Sequence, residues 1–263
     1  AETLLTVRVK KHVIGTDPKD DPVVYEETDD SFYMGIERSR DDNFILIRLS
    51  STVSDELRYA SARDPRDFKV LAARARDVEY DADHFGGRWV IRTNADGAQN
   101  FKVVTANDDA TERTHWHTRV THRSDVLIED VALFEGFTAI AERSGGLERL
   151  RILKPDGSSQ YVAADEPAYS MGLEVNSEPA SPWLRYSYTS MTTPATTYAL
   201  NVVTGERRLL KRQPVPGYDP ADYVTERLWA SARDGTRIPV SIVYHKGFRK
   251  DGRAALLQYG YGS

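Results

Sequence analysis

The last five residues, Tyr259-Gly260-Tyr261-Gly262-Ser263, are the part of this sequence best suited to chemistry. An apolar run over 254–259 leads into a small-residue turn that carries tyrosines. A tight glycine turn at the end of a buried strand is where α/β enzymes set backbone N–H groups against a reacting oxygen. Other residues have catalytic types in weaker patterns. His115 and His117 flank Trp116, with His122 nearby, and alternate residues of a strand share a face. A metal needs a third ligand and supporting partners, and nothing at fixed spacing supplies them, so these read as ordinary histidines and no metal is expected. The doublets Asp20-Asp21, Asp29-Asp30, Asp41-Asp42 and Asp108-Asp109 lie at strand ends, where Asp starts turns; paired acid–base work would need facing carboxylates. A secondary reading lets such acids draw cationic peptides toward a central cavity. His245 follows a strand and opens a charged loop, out of order for a catalytic base. No G-x-S-x-G elbow occurs, and Gly262-Ser263 lacks its context, so Ser263 is not read as a nucleophile.

The elements that must position these residues are strands. The chain has 263 residues, 40% apolar and 29% charged, which suits a folded globular protein with a real core. A net charge of −5 without a basic patch argues against nucleic acid. The absence of cysteine removes disulfides and thiolate zinc sites; it fits the cytoplasm, with the periplasm left open. No apolar run reaches the roughly 20 residues of a membrane span, and the first residues do not read as a signal peptide.

Short β-rich runs fall at 23–25, 32–36, 44–49, 56–59, 68–71, 89–92, 101–105, 147–153, 184–188 and 197–202, separated by turns such as Asn94-Ala95-Asp96-Gly97 and Pro155-Asp156-Gly157-Ser158. One run recurs, as Phe44-Ile45-Leu46-Ile47, Trp89-Val90-Ile91, Phe137-Thr138-Ala139-Ile140 and Trp183-Leu184-Arg185-Tyr186. Spacing of about 45 to 50 residues with about four strands per unit is that of a β-propeller blade. Four units are expected over 13–212, with 4–11 as the last strand of a preceding blade. Trp89, Phe137, Trp183 and Trp229 are expected to pack between blades. Three prolines and a glycine within 213–220 mark a linker. Beyond it, runs at 223–232 and 238–244 around the turn Arg233-Asp234-Gly235-Thr236 predict a long hairpin, followed by a polar loop and an apolar strand at 254–259. That order is how an α/β-hydrolase sheet opens.

Several blocks, in order, carry a family resemblance. They are Ile14-Gly15-Thr16 through Tyr25-Glu26-Glu27, Ser187-Tyr188-Thr189-Ser190-Met191-Thr192-Thr193-Pro194, Thr204-Gly205-Glu206-Arg207-Arg208, Val215-Pro216-Gly217-Tyr218, Ala232-Arg233-Asp234-Gly235-Thr236, and the terminal Tyr-Gly-Tyr-Gly-Ser. Together they resemble the prolyl oligopeptidase family of serine peptidases, in particular its oligopeptidase B branch. The resemblance implies a mainly β chain: part of a seven-bladed propeller, four blades and a little more, followed by the first strands of an α/β-hydrolase domain. The expected divisions are propeller at 1–213, linker at 214–222 and the start of the peptidase domain at 223–263.

It also implies that Tyr261 donates its hydroxyl to the oxyanion, without any cofactor. The Ser, Asp and His of the triad are then expected downstream of residue 263, so this chain reads as an inactive piece of a larger enzyme. The implied substrates are short, basic peptides cleaved after Lys or Arg; the other implied partner is the remainder of the same polypeptide. Post-proline cleavage within the same family, and a non-catalytic propeller used as an interaction module, stand as alternatives.

Overall fold

A computed structural model describes residues 4–260, in which strands are the dominant regular element and helix is confined to three short 3₁₀ turns. No helix among the described residues is long and apolar enough to cross a membrane. The strands build a series of small antiparallel sheets, each connected as a meander. The first blade contains β3 (Tyr33–Arg38), β4 (Phe44–Ser50), β5 (Asp55–Ser61) and β6 (Lys69–Val70). The second contains β7 (Tyr80–His84), β8 (Trp89–Thr93), β9 (Lys102–Ala106) and β10 (His117–Val120). The third contains β11 (Val126–Leu133), β12 (Thr138–Ser144), β13 (Leu147–Leu153) and β14 (Ser159–Tyr161). The fourth contains β15 (Tyr169–Leu173), β16 (Trp183–Ser190), β17 (Thr196–Asn201) and β18 (Arg207–Arg212). The recurring run of the sequence is in each case the second strand of its sheet.

Each sheet alternates side chains between two faces; neighbouring blades cover both faces of the middle strands in the second and third blades, whereas Arg185 and Thr189 leave the fourth blade's outer face exposed. Leu46, Tyr59, Trp89 and Ile91 form the core between the first and second blades. Val103, Ile128, Ile140 and Leu153 fill the next interface, and Phe137, Leu150, Met171, Leu184 and Tyr186 the one between the third and fourth blades. The stacked, mostly β architecture is that of propeller blades.

The structure differs from the sequence reading at both ends. The first four-stranded unit begins at Tyr33 rather than near residue 13. Strand β2 (Val23–Glu26) leaves it to pair with β1 (Arg8–Lys10), a ladder extended by the bonds Glu27 N to Val7 O at 2.9 Å and Lys11 N to Pro22 O at 3.1 Å. This two-stranded sheet covers Ile47 and Leu49 of the first blade with Val9 and Tyr25. At the other end, β19 (Tyr223–Ser231) and β20 (Arg237–His245) form the expected hairpin and pair with no other described strand. The apolar strand expected at 254–259 is not formed: no strand occurs over 246–260, where Leu257 is 93% and Tyr259 85% exposed. A strand needs a partner's carbonyls and amides, and this segment pairs with no described strand.

Candidate functional site

Tyr261, the residue singled out for oxyanion stabilisation, lies outside the described residues. The described chain shows instead how the segment leading to it is held. The hairpin β19–β20 faces the blades with Thr225, Arg227, Trp229 and Pro239, which share one side by register. Arg227 donates to the carbonyl of Gly145 in the β12–β13 turn. The rings of Trp229 and Pro239 lie against the same two-glycine turn: a Cβ on Gly146 would meet Pro239 Cγ at 3.2 Å and Arg227 Nη2 at 3.3 Å. Gly146 also has φ of +77°, so glycine is required there twice over.

Two residues before Arg227, the Thr225 hydroxyl lies 3.0 Å from that of Thr192, in the β16–β17 turn of the fourth blade. This turn is the Ser-Met-Thr-Thr-Pro block. Ser190 Oγ accepts the amides of Thr192 at 2.9 Å and Thr193 at 2.7 Å, which closes the turn. Glu166, just before β15, accepts hydroxyls from Tyr188 at 2.9 Å, Ser190 at 2.7 Å, Thr193 at 2.8 Å, and Thr192. Burial opposes its ionisation, but these four donors outweigh it and lower its pKa from the ordinary value. The linker joins the same turn, since Tyr218 donates its hydroxyl to the carbonyl of Thr192 at 2.7 Å.

Other blocks that carry the resemblance are also structural. Tyr25 donates to Glu27 at 2.8 Å, and Glu27 pairs with Arg74 at 2.7 Å, which reaches Glu56 at 3.1 Å and ties the β1–β2 sheet to the first blade. In Arg233-Asp234-Gly235-Thr236, Asp234 accepts the Thr236 amide at 2.9 Å and Gly235 takes φ of +85°, closing the hairpin.

A charged cluster between the first two blades escaped the sequence reading. Arg48 of β4 donates to the carboxylates of Glu37 on β3 and Asp81 on β7, and to the Ala82 carbonyl at 2.8 Å. Burial pushes the Asp83 carboxyl up to about 6, although the amides of Arg40 and His84 each donate to it at 2.8 Å. His84, 1% exposed, faces Asp41 through Nδ1 at 2.7 Å and Asp108 through Nε2 at 2.9 Å. The two carboxylates sit on opposite ring nitrogens, so the trio shares no point where a cation could be held. The period-2 pattern of β7 marks His84 as inward-facing, but its acidic partners lie 43 and 24 residues away and leave no local spacing signal.

The sequence-selected histidines do not converge. His115 ends a 3₁₀ turn, Arg113–His115, so it does not share a strand face with His117, which opens β10. Pairing a one-turn helix to a strand breaks the alternation the reading assumed. Among the described residues no group of three or more His, Asp or Glu side chains is arranged to hold a metal. His245 ends β20 and accepts the Gly247 amide at 3.1 Å. Of the doublets, Asp29 and Asp41 accept amides two residues on, from Ser31 at 3.0 Å and Asn43 at 3.2 Å, as turn residues do. Trp89 and Phe137 are core residues. Trp183 is not: it is half-buried outside the core cluster, with the Arg208 guanidinium 4.2 Å from its ring. Trp229, 45% exposed, stands outside the blades between Arg227 and Arg237, because its hairpin meets the blades only at their turns.

Comparison with known proteins agrees with this architecture. Residues 1–213 match the family model described as prolyl oligopeptidase, N-terminal beta-propeller domain. The chain is 64% identical over 263 residues to dipeptidyl aminopeptidase BI of Pseudoxanthomonas mexicana, covering 100% of this chain and 36% of that protein. It is 31% identical to protease 2 of Moraxella lacunata over 96% of this chain and 36% of that protein. Among solved structures, oligopeptidase B from Leishmania major superposes with a TM-score of 0.86 at 29% identity, over 95% of this chain and 37% of that one. This chain therefore spans about 36% of the length of the curated relatives it matches. The repeated four-stranded sheets, the ordered sequence blocks and the match over 1–213 lead to one conclusion: the chain belongs to the prolyl oligopeptidase family.

Proposed function

We propose that the whole protein is a serine peptidase of short peptides, and that the blades described here restrict access to its active site. The observation that carries this is the propeller match over 1–213, continued by 64% identity across the entire chain to a dipeptidyl aminopeptidase. On this reading residues 1–213 are propeller, 214–222 linker, and 223–263 the opening of an α/β-hydrolase domain. The end of the family match at 213 and the separate β19–β20 sheet support that division. The remainder of the polypeptide supplies Ser, His and Asp. The serine hydroxyl attacks the scissile carbonyl as His takes its proton, and the same His returns the proton to the leaving amine. Tyr261 and a backbone N–H hold the oxygen that becomes negative. Neither cofactor nor metal enters these steps, and the cytoplasm is the compartment that suits them.

Cleavage after Lys or Arg is supported by the Ser-Met-Thr-Thr-Pro and Tyr-Gly-Tyr-Gly-Ser blocks and by the 29% identity to oligopeptidase B structures. A second reading, release of dipeptides, is favoured by the higher identity to dipeptidyl aminopeptidase BI. The two describe different choices, one of side chain and one of distance from the peptide's amino end.

Assay of the protein from its complete reading frame separates them. Turnover of both amino-blocked and free dipeptidyl-arginyl chromogenic substrates supports cleavage after basic residues; turnover of only the free dipeptidyl substrates supports dipeptide release. Turnover of neither, together with no labelling by a fluorophosphonate, overturns the peptidase assignment. The 263-residue chain is expected to be inactive in the same assay.

A further inference from the structure

Thr192 has one hydroxyl proton, and the Glu166 carboxylate only accepts. The Thr192 hydroxyl therefore donates to Glu166, and its oxygen accepts from the Thr225 hydroxyl 3.0 Å away. Its carbonyl meanwhile accepts from Tyr218 at 2.7 Å. The turn does not need this hydroxyl for its own closure, because Ser190 already binds the amides of Thr192 and Thr193. A buried residue of the fourth blade thus meets two segments outside that blade: its carbonyl accepts from Tyr218 of the linker, and its hydroxyl, oriented by Glu166, meets Thr225 of β19.

We propose that Thr192 is a latch that fixes the linker and the β19–β20 hairpin to the fourth blade. Arg227, on the same side of β19 as Thr225, docks on the Gly145–Gly146 turn of the third blade. The hairpin is therefore held at two points on neighbouring blades. Opening the Thr192–Thr225 contact leaves the hairpin seated on the two-glycine turn, about which it can pivot, while the linker before it stays tied through Tyr218. Glu166 acts through Thr192 as a positioning residue.

The test is hydrogen exchange, read by mass spectrometry on the protein from its complete reading frame. Thr192→Val and Thr225→Val each remove one hydroxyl with little change of shape. One hydrogen bond is worth roughly a threefold to tenfold change in local opening. Each variant should speed exchange over β19, Tyr223–Ser231, by about that factor and leave β15–β18 unchanged. Thr192→Ser, which keeps the hydroxyl, should restore wild-type exchange. The double variant should exchange no faster than the faster single one, because both substitutions break the same bond.

Unchanged exchange over Tyr223–Ser231 in Thr225→Val overturns the latch, and that variant leaves the blade intact should Thr192→Val fail to fold. Acceleration spread equally through β15–β18 also overturns it, as it would make Thr192 an ordinary part of blade stability. So would additive effects in the double variant.

Discussion

His84 stands between Asp41 and Asp108, its Nδ1 2.7 Å from one carboxylate and its Nε2 2.9 Å from the other. Asp41 belongs to the β3–β4 turn and His84 to the end of β7, so a single buried ring ties the first blade to the second. Phe44 and Trp89 pack on it with centroids at 4.7 and 5.1 Å. His84→Ala would leave a cavity and two carboxylates facing each other across it. The expected loss is about 3 kcal/mol, measured as a shift of the denaturation midpoint. A shift below about 1 kcal/mol would mean that solvent replaces the ring at no cost.

Glu27 gives the molecule an acid-sensitive joint. Burial opposes its ionisation, but hydrogen bonds from Arg74, the Asp29 amide and Tyr25 prevail, together with the Arg74 charge, and hold it at about 2 instead of the usual 4.5. A depressed pKa contributes stability that is complete above 4.5 and fades as pH falls toward 2. Glu27→Gln should therefore be less stable than wild type at neutral pH, and the gap should close between those limits. Thermal midpoints of both proteins across that range check the prediction.

Asp83 has the opposite sign. Burial raises its pKa from 3.8 to about 6, against the pull of two backbone amides. The folded state then holds this proton more tightly than the unfolded one, so stability falls as pH rises from 3.8 through about 6. Asp83→Asn keeps an oxygen for the amides of Arg40 and His84 and avoids the buried charge. It should be more stable than wild type above pH 6 and equal to it below pH 3.8, in the same midpoint series.

The two-glycine turn tests how tightly the hairpin is seated. Gly146→Ala places a methyl 3.2 Å from Pro239 Cγ and forces alanine to a φ of +77°. Gly145→Ala, at φ of +56°, meets nothing closer than 3.8 Å. Strain alone costs about 1 kcal/mol at each position, and the clash adds to it only at Gly146. Trp229 fluorescence should shift toward that of a solvated indole in Gly146→Ala and stay unchanged in Gly145→Ala.

In the complete protein, Tyr261→Phe should reduce kcat by about 100-fold to 1,000-fold with little change in KM, the signature of a donor used only in the transition state. An unchanged kcat would remove Tyr261 from the oxyanion hole.

The sequence by itself determined the repeat. Alternating apolar runs such as Phe44-Ile45-Leu46-Ile47 and Trp89-Val90-Ile91, spaced for four-stranded units, reappear as the second strands of successive sheets. This was legible because period-2 burial is a local property, visible within a few residues. Turns were legible for the same reason, since Asp234 and Gly235 act on their own neighbours.

Only the tertiary structure decided the partners. Strand β2 left the first blade for β1, and 254–259 stayed unpaired, because pairing depends on which edge is available and not on the strand's own residues. His84 met its carboxylates from distant turns, while His115 and His117, close in sequence, were separated by a 3₁₀ turn. The Ser-Met-Thr-Thr-Pro block could be recognised as a motif, but its work is to meet Glu166, Tyr218 and Thr225, each more than 20 residues away along the chain. Contacts between distant segments are set by how sheets stack, and no local pattern records them.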